Sequence, residues 1–164
     1  MIDDGRIIFS GKRPLGSASK NRLRSVLESL LRDHDQPGAV HLVFVDDAAI
    51  RRAHRQFFDD DTVTDVITFP MRSRAASGSP APRRSRTAPG ADASVDPLEG
   101  ELLGEILVSV DTARRESASR GLPLERELAL YSIHGVLHVL GYDDCRSTER
   151  RRMRRMERRY LDRF

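Results

Sequence analysis

The stretch HGVLHVLGYDD (134–144) places two histidines four positions apart in an apolar run, followed by a glycine and two aspartates. Four positions are a little more than one helical turn, so the stretch predicts a helix with His134 and His138 on one face. Two imidazoles arranged in this way can bind one metal ion. The pair alone is a weak motif, because a helical histidine that faces a core is usually only hydrogen-bonded there.

Gly141 and Asp144 make the pattern more specific. Glycine readily adopts the left-handed conformation that ends a helix, so Gly141 predicts that the chain folds back after the histidines. Asp144 then approaches from outside the helix, with a carboxylate oxygen that suits zinc as a third ligand. Three protein ligands leave a fourth tetrahedral position for water, which is typical of a catalytic zinc site. The predicted ligands are therefore His134, His138 and Asp144.

The same spacing occurs in the zinc-protease motif H-E-x-x-H-x-x-G-x-x-H, and it predicts a metzincin-like helix and glycine turn. In those proteases the glutamate beside the first histidine is the general base. Gly135 stands at that position here and carries no side chain. A metallopeptidase built on this motif would lack its proton acceptor, so this function is disfavoured.

Length and composition indicate one compact domain. A chain of 164 residues and 18.5 kDa is long enough to bury a core. It has no apolar run of the roughly 18 residues needed to span a membrane, and MIDDGRIIFS is acidic where a signal peptide is positive. Cys145 is the single cysteine, which excludes an internal disulfide and favours the reducing cytoplasm. Cys145 could contact a metal beside Asp144, but we expect a small, half-buried side chain.

The positive charge is carried almost entirely by arginine, since Lys12 and Lys20 are the only lysines. The guanidinium group is a planar fork that suits phosphate. An arginine bias also follows from a GC-rich genome, so composition alone does not decide between the two explanations. A net charge of +3 and a pI near 9.5 make nucleic acid a plausible partner and nothing firmer.

Hydrophobic periodicity predicts the order β-α-β-α-β, an insertion, and then β-α-α-α. The strand predictions are residues 7–9, 39–47, 65–70 and 102–110. The helix predictions are a segment that begins at Ser17 and segments around 50–57, 111–120, 124–140 and 147–164. This order predicts an α+β fold in which helices cover a small mixed β-sheet of about four strands.

Residues 71–100 differ from the rest of the chain. They contain no aromatic residue and are rich in proline, alanine, serine and glycine, so they cannot bury enough apolar surface to offset the entropy of ordering. We expect a flexible insertion within a single domain that spans 1–164. Its first half is rich in arginine and could act as a basic tether that touches RNA, although a solvated loop is the default expectation.

Several segments resemble the YbeY-type endoribonucleases, also called rRNA maturation factors. Residues 134–144 are similar to the family motif H-G-x-L-H-L-x-G-Y-D-H, residues 64–70 (TDVITFP) to T-D-V-L-S-F-P, and residues 102–109 (LLGEILVS) to L-G-D-I-x-I-S. Further positions that fit the family are Glu127, Leu128, Met153 and Glu157. The resemblance covers roughly residues 40–161, and the insertion at 71–100 has no counterpart that we identify.

The resemblance implies a metal-dependent endoribonuclease that cuts single-stranded RNA. It implies action on the 3′ end of small-subunit rRNA and in ribosome quality control, with one Zn²⁺ per chain and with precursor rRNA and the ribosome as partners. The family's third ligand is usually histidine, and Asp144 takes that position here, whereas the competing Asp143 matches a non-ligand aspartate. Two histidines and one aspartate leave Zn²⁺ a net charge of about +1, so the bound water should be less acidified than with three histidines.

A second departure lies upstream. Many family members carry an asparagine and then an arginine before the T-D-V segment, and His54 and Phe58 occupy those places here. Arg55 lies one helical turn from Phe58 and is our candidate replacement, together with Arg151 and Arg155 of the terminal helix for contacts to the RNA backbone. These departures leave open a second hypothesis, a metal-stabilised ribosome- or RNA-binding module with little catalysis. Hydrolysis of a small substrate is a third, supported only by analogy of fold.

Overall fold

Four strands and five helices make up the computed structural model, which describes residues 5–71 and 101–164. The strands are β1 (Ile7–Gly11), β2 (Ala39–Val45), β3 (Val66–Pro70) and β4 (Leu102–Ser109). The helices are α1 (Ser17–Asp33), α2 (Asp47–Phe58), α3 (Val110–Arg120), α4 (Leu124–Val139) and α5 (Ser147–Leu161). Each element lies where the sequence pattern predicts one, and the mixed four-stranded sheet confirms the α+β class.

The strand order β1-β2-β4-β3 places β3 at an edge of the sheet. β1 and β2 are parallel, as are β2 and β4, whereas β3 runs antiparallel to β4. α1 connects the parallel pair β1 and β2, because parallel neighbours need a crossover rather than a tight turn. Helix α4, which carries the two histidines, contacts both β4 and the edge strand β3.

The core lies between one face of the sheet and helices α1 and α4. Alternate residues of the two central strands are fully buried, as a strand with one covered face requires: Val40 and Leu42 of β2, and Ile106 and Val108 of β4. The leucine stripe predicted for the first helix joins the same cluster through Leu23, Leu27, Leu30 and Leu31. The core therefore holds α4 against the sheet along most of its length.

Two glycines let α4 approach β4 closely. A Cβ atom on Gly135 would lie 2.5 Å from Cγ2 of Ile106, and one on Gly104 would lie 2.8 Å from a methyl group of Val139. Real Cβ atoms essentially never come so near to another atom. Position 135 thus faces the sheet, and the missing side chain is what allows the histidine helix to pack at this depth.

Helix α2 is fixed at its start by two aspartates. The Asp46 carboxylate accepts a hydrogen bond from the Ala49 backbone N–H at 2.8 Å and caps the helix. Asp47 accepts hydrogen bonds from the Ser109 hydroxyl at 3.1 Å and from the Arg115 guanidinium at 2.6 Å. The hydrogen bond to Arg115, opposed by partial burial, lowers the pKa of Asp47. These bonds tie α2 to the start of α3 and so set the direction in which α2 runs toward the edge strand.

Residues 72–100 of the predicted insertion lie outside the described residues. Met71, which we assigned to it, belongs to the sheet, since its backbone N–H donates to the Leu103 carbonyl at 2.8 Å. After the insertion, the Glu101 carbonyl accepts a hydrogen bond from the Ala39 N–H at 3.0 Å.

Cys145 is exposed rather than half-buried as we expected, because it lies in the polar segment between α4 and α5. Within residues 5–71 and 101–164, no helix is long and apolar enough to cross a membrane.

The glycine contact gives a test of the packing between α4 and β4. Replacing Gly135 with alanine is expected to lower the free energy of unfolding by about 1–3 kcal/mol, because the new methyl group overlaps Ile106. This loss is net of the roughly 1 kcal/mol that alanine gains over glycine inside a helix. Urea unfolding measures it. The same change should cost less in an Ile106→Ala background, and equal costs in the two backgrounds would contradict the close approach.

Candidate metal centre

Helix α4 brings the two histidine rings edge to face. The ring planes lie 82° apart with centroids 4.5 Å apart, and the two Nε2 atoms are separated by 3.0 Å. Ligand atoms of His134, His138 and Asp144 all lie within 4.8 Å of one another, and the three side chains are half-buried. The structure thus places the three predicted ligands around one point.

The turn after α4 has the geometry that the sequence predicts from Gly141. Its φ is +89°, in the region that favours glycine. The Gly141 N–H donates to the His138 carbonyl, and the Tyr142 N–H donates to the Leu137 carbonyl, both at 3.0 Å. This pair of hydrogen bonds is a Schellman motif, which satisfies two carbonyl groups at the helix end and reverses the chain. Asp144 reaches the histidines because of this reversal.

Both imidazoles are oriented through their Nδ1 atoms. His138 Nδ1 donates to the Tyr142 carbonyl at 3.0 Å, and His134 Nδ1 donates to the Glu157 carboxylate of α5 at 2.6 Å. A proton on Nδ1 leaves the lone pair of each ring on Nε2, aimed at the shared point. Burial lowers the pKa of His134, but the hydrogen bond and the negative charge of Glu157 outweigh it, so this pKa is raised.

The chemistry of these donors fits a zinc ion. The two Nε2 atoms lie 3.0 Å apart, and when both rings are neutral with the proton on Nδ1, their lone pairs repel unless a cation lies between them. Zn–N bonds of about 2.0–2.1 Å in a tetrahedron separate two nitrogens by about 3.3 Å, close to the separation here. The carboxylate of Asp144 supplies the oxygen ligand and a negative charge that offsets part of the metal's charge.

The carboxylate of Asp143, the competing ligand, hydrogen-bonds to the backbone of the turn. It accepts hydrogen bonds from the backbone N–H groups of Asp144 at 2.7 Å and of Cys145 at 3.1 Å. Hydrogen bonds from the thiol and the backbone of Cys145, together with the Asp144 N–H, lower the pKa of Asp143. Asp143 therefore stabilises the turn that presents Asp144.

The predicted RNA-binding arginines differ in their relation to this centre. Arg151 and Arg155 are exposed on α5 but do not line the cavities at His134. Arg55 is exposed on α2, with its guanidinium 3.7 Å from the Asp61 carboxylate. Two arginines that we did not name line a cavity at the centre. Arg150 and Arg154 line a cavity of about 410 Å³ with His134, Asp144, Met153 and Glu157, and Arg150 Nε donates to the Asp144 carbonyl at 3.0 Å.

Sequence reasoning also missed the groups that support the ligands. Glu157 matched the family resemblance, but its role as the hydrogen-bond acceptor of His134 follows only from the packing of α5 against α4. Tyr142 acts through a backbone carbonyl, for which the sequence has no signal. Its hydroxyl is held by His34 Nε2 at 2.9 Å, from the residue that ends α1. His54 and Phe58 line a second cavity at the two histidines.

The left-handed turn gives a prediction with a matched control. Gly141→Ala is expected to lower the free energy of unfolding by about 1–2 kcal/mol, because an L side chain is strained at positive φ. It should also weaken zinc binding, since the Tyr142 carbonyl and Asp144 follow directly. Gly121 ends α3 at φ +64°, so Gly121→Ala should cost similar stability but leave zinc affinity unchanged. Chelator competition measures the affinity, and wild-type affinity in Gly141→Ala would count against the role of the turn.

Glu157 gives a second prediction. Its replacement by alanine is expected to weaken zinc binding about 10- to 100-fold, because His134 loses the group that fixes its orientation. Glu157→Gln keeps an oxygen acceptor and should fall between alanine and the wild type. Glu149→Ala, in the first turn of the same helix, is the control and should bind zinc normally. Isothermal titration decides the order of affinities, and equal affinity in Glu157→Ala and the wild type would refute the supporting role.

Comparison with known proteins indicates the family of this chain. The family model for endoribonuclease YbeY matches residues 11–164. A protein of Syntrophotalea carbinolica named endoribonuclease YbeY is 36% identical over 161 residues, covering 98% of this chain and 94% of the relative. One of Pelotomaculum thermopropionicum with the same name is 34% identical over 162 residues, covering 95% of this chain and 93% of the relative.

A solved structure supports the fold. The solution structure of TM1509 from Thermotoga maritima superposes with a TM-score of 0.62 at 23% identity, covering 96% of this chain and 87% of that chain. At this identity the likeness concerns the fold alone. The match of the family model along nearly the whole chain, with relatives at about a third identity, shows that the chain belongs to the endoribonuclease YbeY family.

Proposed function

We propose that this chain is a zinc-dependent endoribonuclease that cuts single-stranded RNA. Its task is maturation of the 3′ end of small-subunit rRNA and ribosome quality control in the cytoplasm, with precursor rRNA and the ribosome as partners. The observation that carries the proposal is the convergence of His134, His138 and Asp144 within 4.8 Å, in a chain whose relatives are named endoribonucleases.

The roles of the residues follow from their contacts. His134, His138 and Asp144 would hold one Zn²⁺, and the bound ion would supply a Lewis acid for a phosphate oxygen and for the activation of water. Glu157 keeps the His134 lone pair directed at the metal point, and the Tyr142 carbonyl does the same for His138. The function as a peptidase loses further support, because position 135 faces Ile106 of the sheet and not the metal point.

RNA contacts belong to the arginines around this centre. Arg55, Arg151 and Arg155 are exposed and can neutralise phosphates at some distance from the metal. Arg150 and Arg154 have stronger support, because they line a cavity together with the ligands themselves. We include the whole chain, 1–164, in a single catalytic domain.

His138→Ala is the central test of the proposed function. Loss of one of three ligands is expected to abolish stoichiometric zinc and to lower cleavage of a single-stranded oligoribonucleotide by at least about 100-fold, since loss of a group that only hydrogen-bonds to a ligand can already cost this much. Asp143→Asn is the matched control beside the third ligand: the amide oxygen can still accept the two backbone hydrogen bonds of the turn, so the variant should keep both properties. Metal analysis and a gel assay of cleavage, with and without chelator, measure the outcome.

Two results would contradict the proposal in different ways. Full zinc occupancy and undiminished cleavage in His138→Ala would refute the metal centre. RNA binding that survives chelation, with no cleavage by the zinc-loaded wild type, would favour the metal-stabilised binding module instead. Asp144→Ala and Asp144→His in the same assay test the third ligand, and histidine should retain zinc where alanine does not.

A further inference from the structure

A second cavity adjoins the metal centre along the edge of the sheet. It measures about 390 Å³, within the roughly 300–1,000 Å³ typical of small-molecule sites. It lies between the end of α2 and the histidine face of α4, with the edge strand β3 as its floor. Its lining residues are His54, Phe58, Asp65, Val66, Ile67, Thr68, Pro70, His134 and His138. Whatever occupies this cavity lies beside both histidines.

Phe58 presents an aromatic ring to this cavity. It is the last residue of α2, and 54% of its surface is exposed, the largest fraction among the exposed large apolar residues that the structure describes. The ring contacts two other rings, that of His54 with centroids 5.6 Å apart and that of Phe69 with centroids 6.4 Å apart. An exposed ring held in place by two other rings offers a platform on which a flat group can stack.

The backbone of β3 contributes polar groups to the same cavity. The Asp65 carbonyl accepts from the Ser109 N–H, and the Met71 N–H donates to the Leu103 carbonyl. In an antiparallel ladder the hydrogen-bonded residues alternate, so residues 65, 67, 69 and 71 bond to β4. The backbone groups of the intervening residues, Val66 and Thr68, therefore point away from β4 toward the cavity.

This edge is unsuited to a peptide strand. Strand addition requires successive outward N–H groups, here at positions 66, 68 and 70. The Val66 N–H already donates to the Asp65 carboxylate at 2.8 Å, and Pro70 has no N–H at all. Thr68 remains, with one donor and one acceptor side by side. A single adjacent donor and acceptor match the polar edge of a nucleobase rather than a run of peptide groups.

We propose that this cavity binds one unpaired nucleobase of the RNA substrate, stacked on Phe58 with its polar edge against the Thr68 backbone. The proposal rests on the proposed function, because the base belongs to a nucleotide next to the phosphate at the metal centre. It assigns specificity for single-stranded RNA to a residue outside the metal site. In a duplex the base would be stacked and paired, and its ring could not reach the cavity.

Variants of Phe58 test the stacking surface. Phe58→Ala is expected to raise KM for a single-stranded RNA about tenfold, with kcat and bound zinc unchanged, because removal of one stacking ring weakens binding by about this much. Phe58→Leu keeps an apolar side chain without the ring and should resemble alanine, whereas Phe58→Trp should resemble the wild type. Leu122→Ala is the matched control, since Leu122 is 41% exposed and lies outside the cavity.

The RNA itself can be altered in the same way. In a series of oligoribonucleotides with one abasic site at successive positions, one position next to the cleaved bond should reproduce the KM increase in the wild type. At that position Phe58→Ala should bring no further loss, because the ring and the base act as a pair. If the losses of binding from Phe58→Ala and from the abasic site add in full at every position, the proposal is overturned.

The chain contains no tryptophan, so Phe58→Trp also introduces a unique fluorescent reporter. Adenosine 5′-monophosphate should quench its fluorescence, and ribose 5-phosphate, which lacks the base, should not. Equal quenching by the two compounds, or quenching by an extended hexapeptide and not by the nucleotide, would overturn the base site.

Failure of this inference is distinguishable from failure of the proposed function. If the zinc-loaded wild type cleaves RNA and Phe58→Ala and Phe58→Leu match it, the base site is refuted and the nuclease stands. If the wild type cleaves no RNA, the proposed function is refuted, and the fluorescence titration still decides whether the cavity takes a base.

Discussion

The candidate site depends on the backbone turn at Gly141. The two hydrogen bonds of this turn end α4, reverse the chain and place the Tyr142 carbonyl where His138 Nδ1 can donate to it. The same reversal brings Asp144 to the histidines. One left-handed residue therefore fixes the end of a helix, the tautomer of one candidate ligand and the position of another. A substitution that alters the turn would therefore affect all three at once.

The rest of the site is assembled from separate elements that meet only in the folded protein. Glu157 comes from α5, and Tyr142 is held in turn by His34 at the end of α1. α4 itself reaches its depth because Gly135 removes the atoms that would collide with β4. Metal binding and folding are consequently linked, because the unfolded chain has no preformed site and any affinity for zinc adds to the stability of the native state.

The sequence was sufficient for the elements and for the grouping of His134, His138 and Asp144, and insufficient for their surroundings. Leucine spacing in α1 and the histidine spacing in α4 reflect local geometry, which a linear pattern preserves. The arginines of α5 that lie near the site were harder to predict. Most exposed positions of that helix are arginine, and composition does not indicate which ones face α4. The buried Met153 sets that face, and Arg150 and Arg154 flank it, whereas Arg151 lies on the solvent side. Contacts through a backbone carbonyl, as at Tyr142, leave no trace in the sequence.

The hydrogen bonds that flank residues 72–100 bear on how long the connection between β3 and β4 can be. Met71 is bonded to Leu103, so the ladder between β3 and β4 continues to the last described residue before the gap. The entropy of closing a loop on an antiparallel pair grows only with the logarithm of its length, so a threefold longer flexible loop costs roughly 1 kcal/mol. A connection between β3 and β4 can therefore change in length at a small cost in free energy, while the strand that borders the candidate metal centre keeps its place.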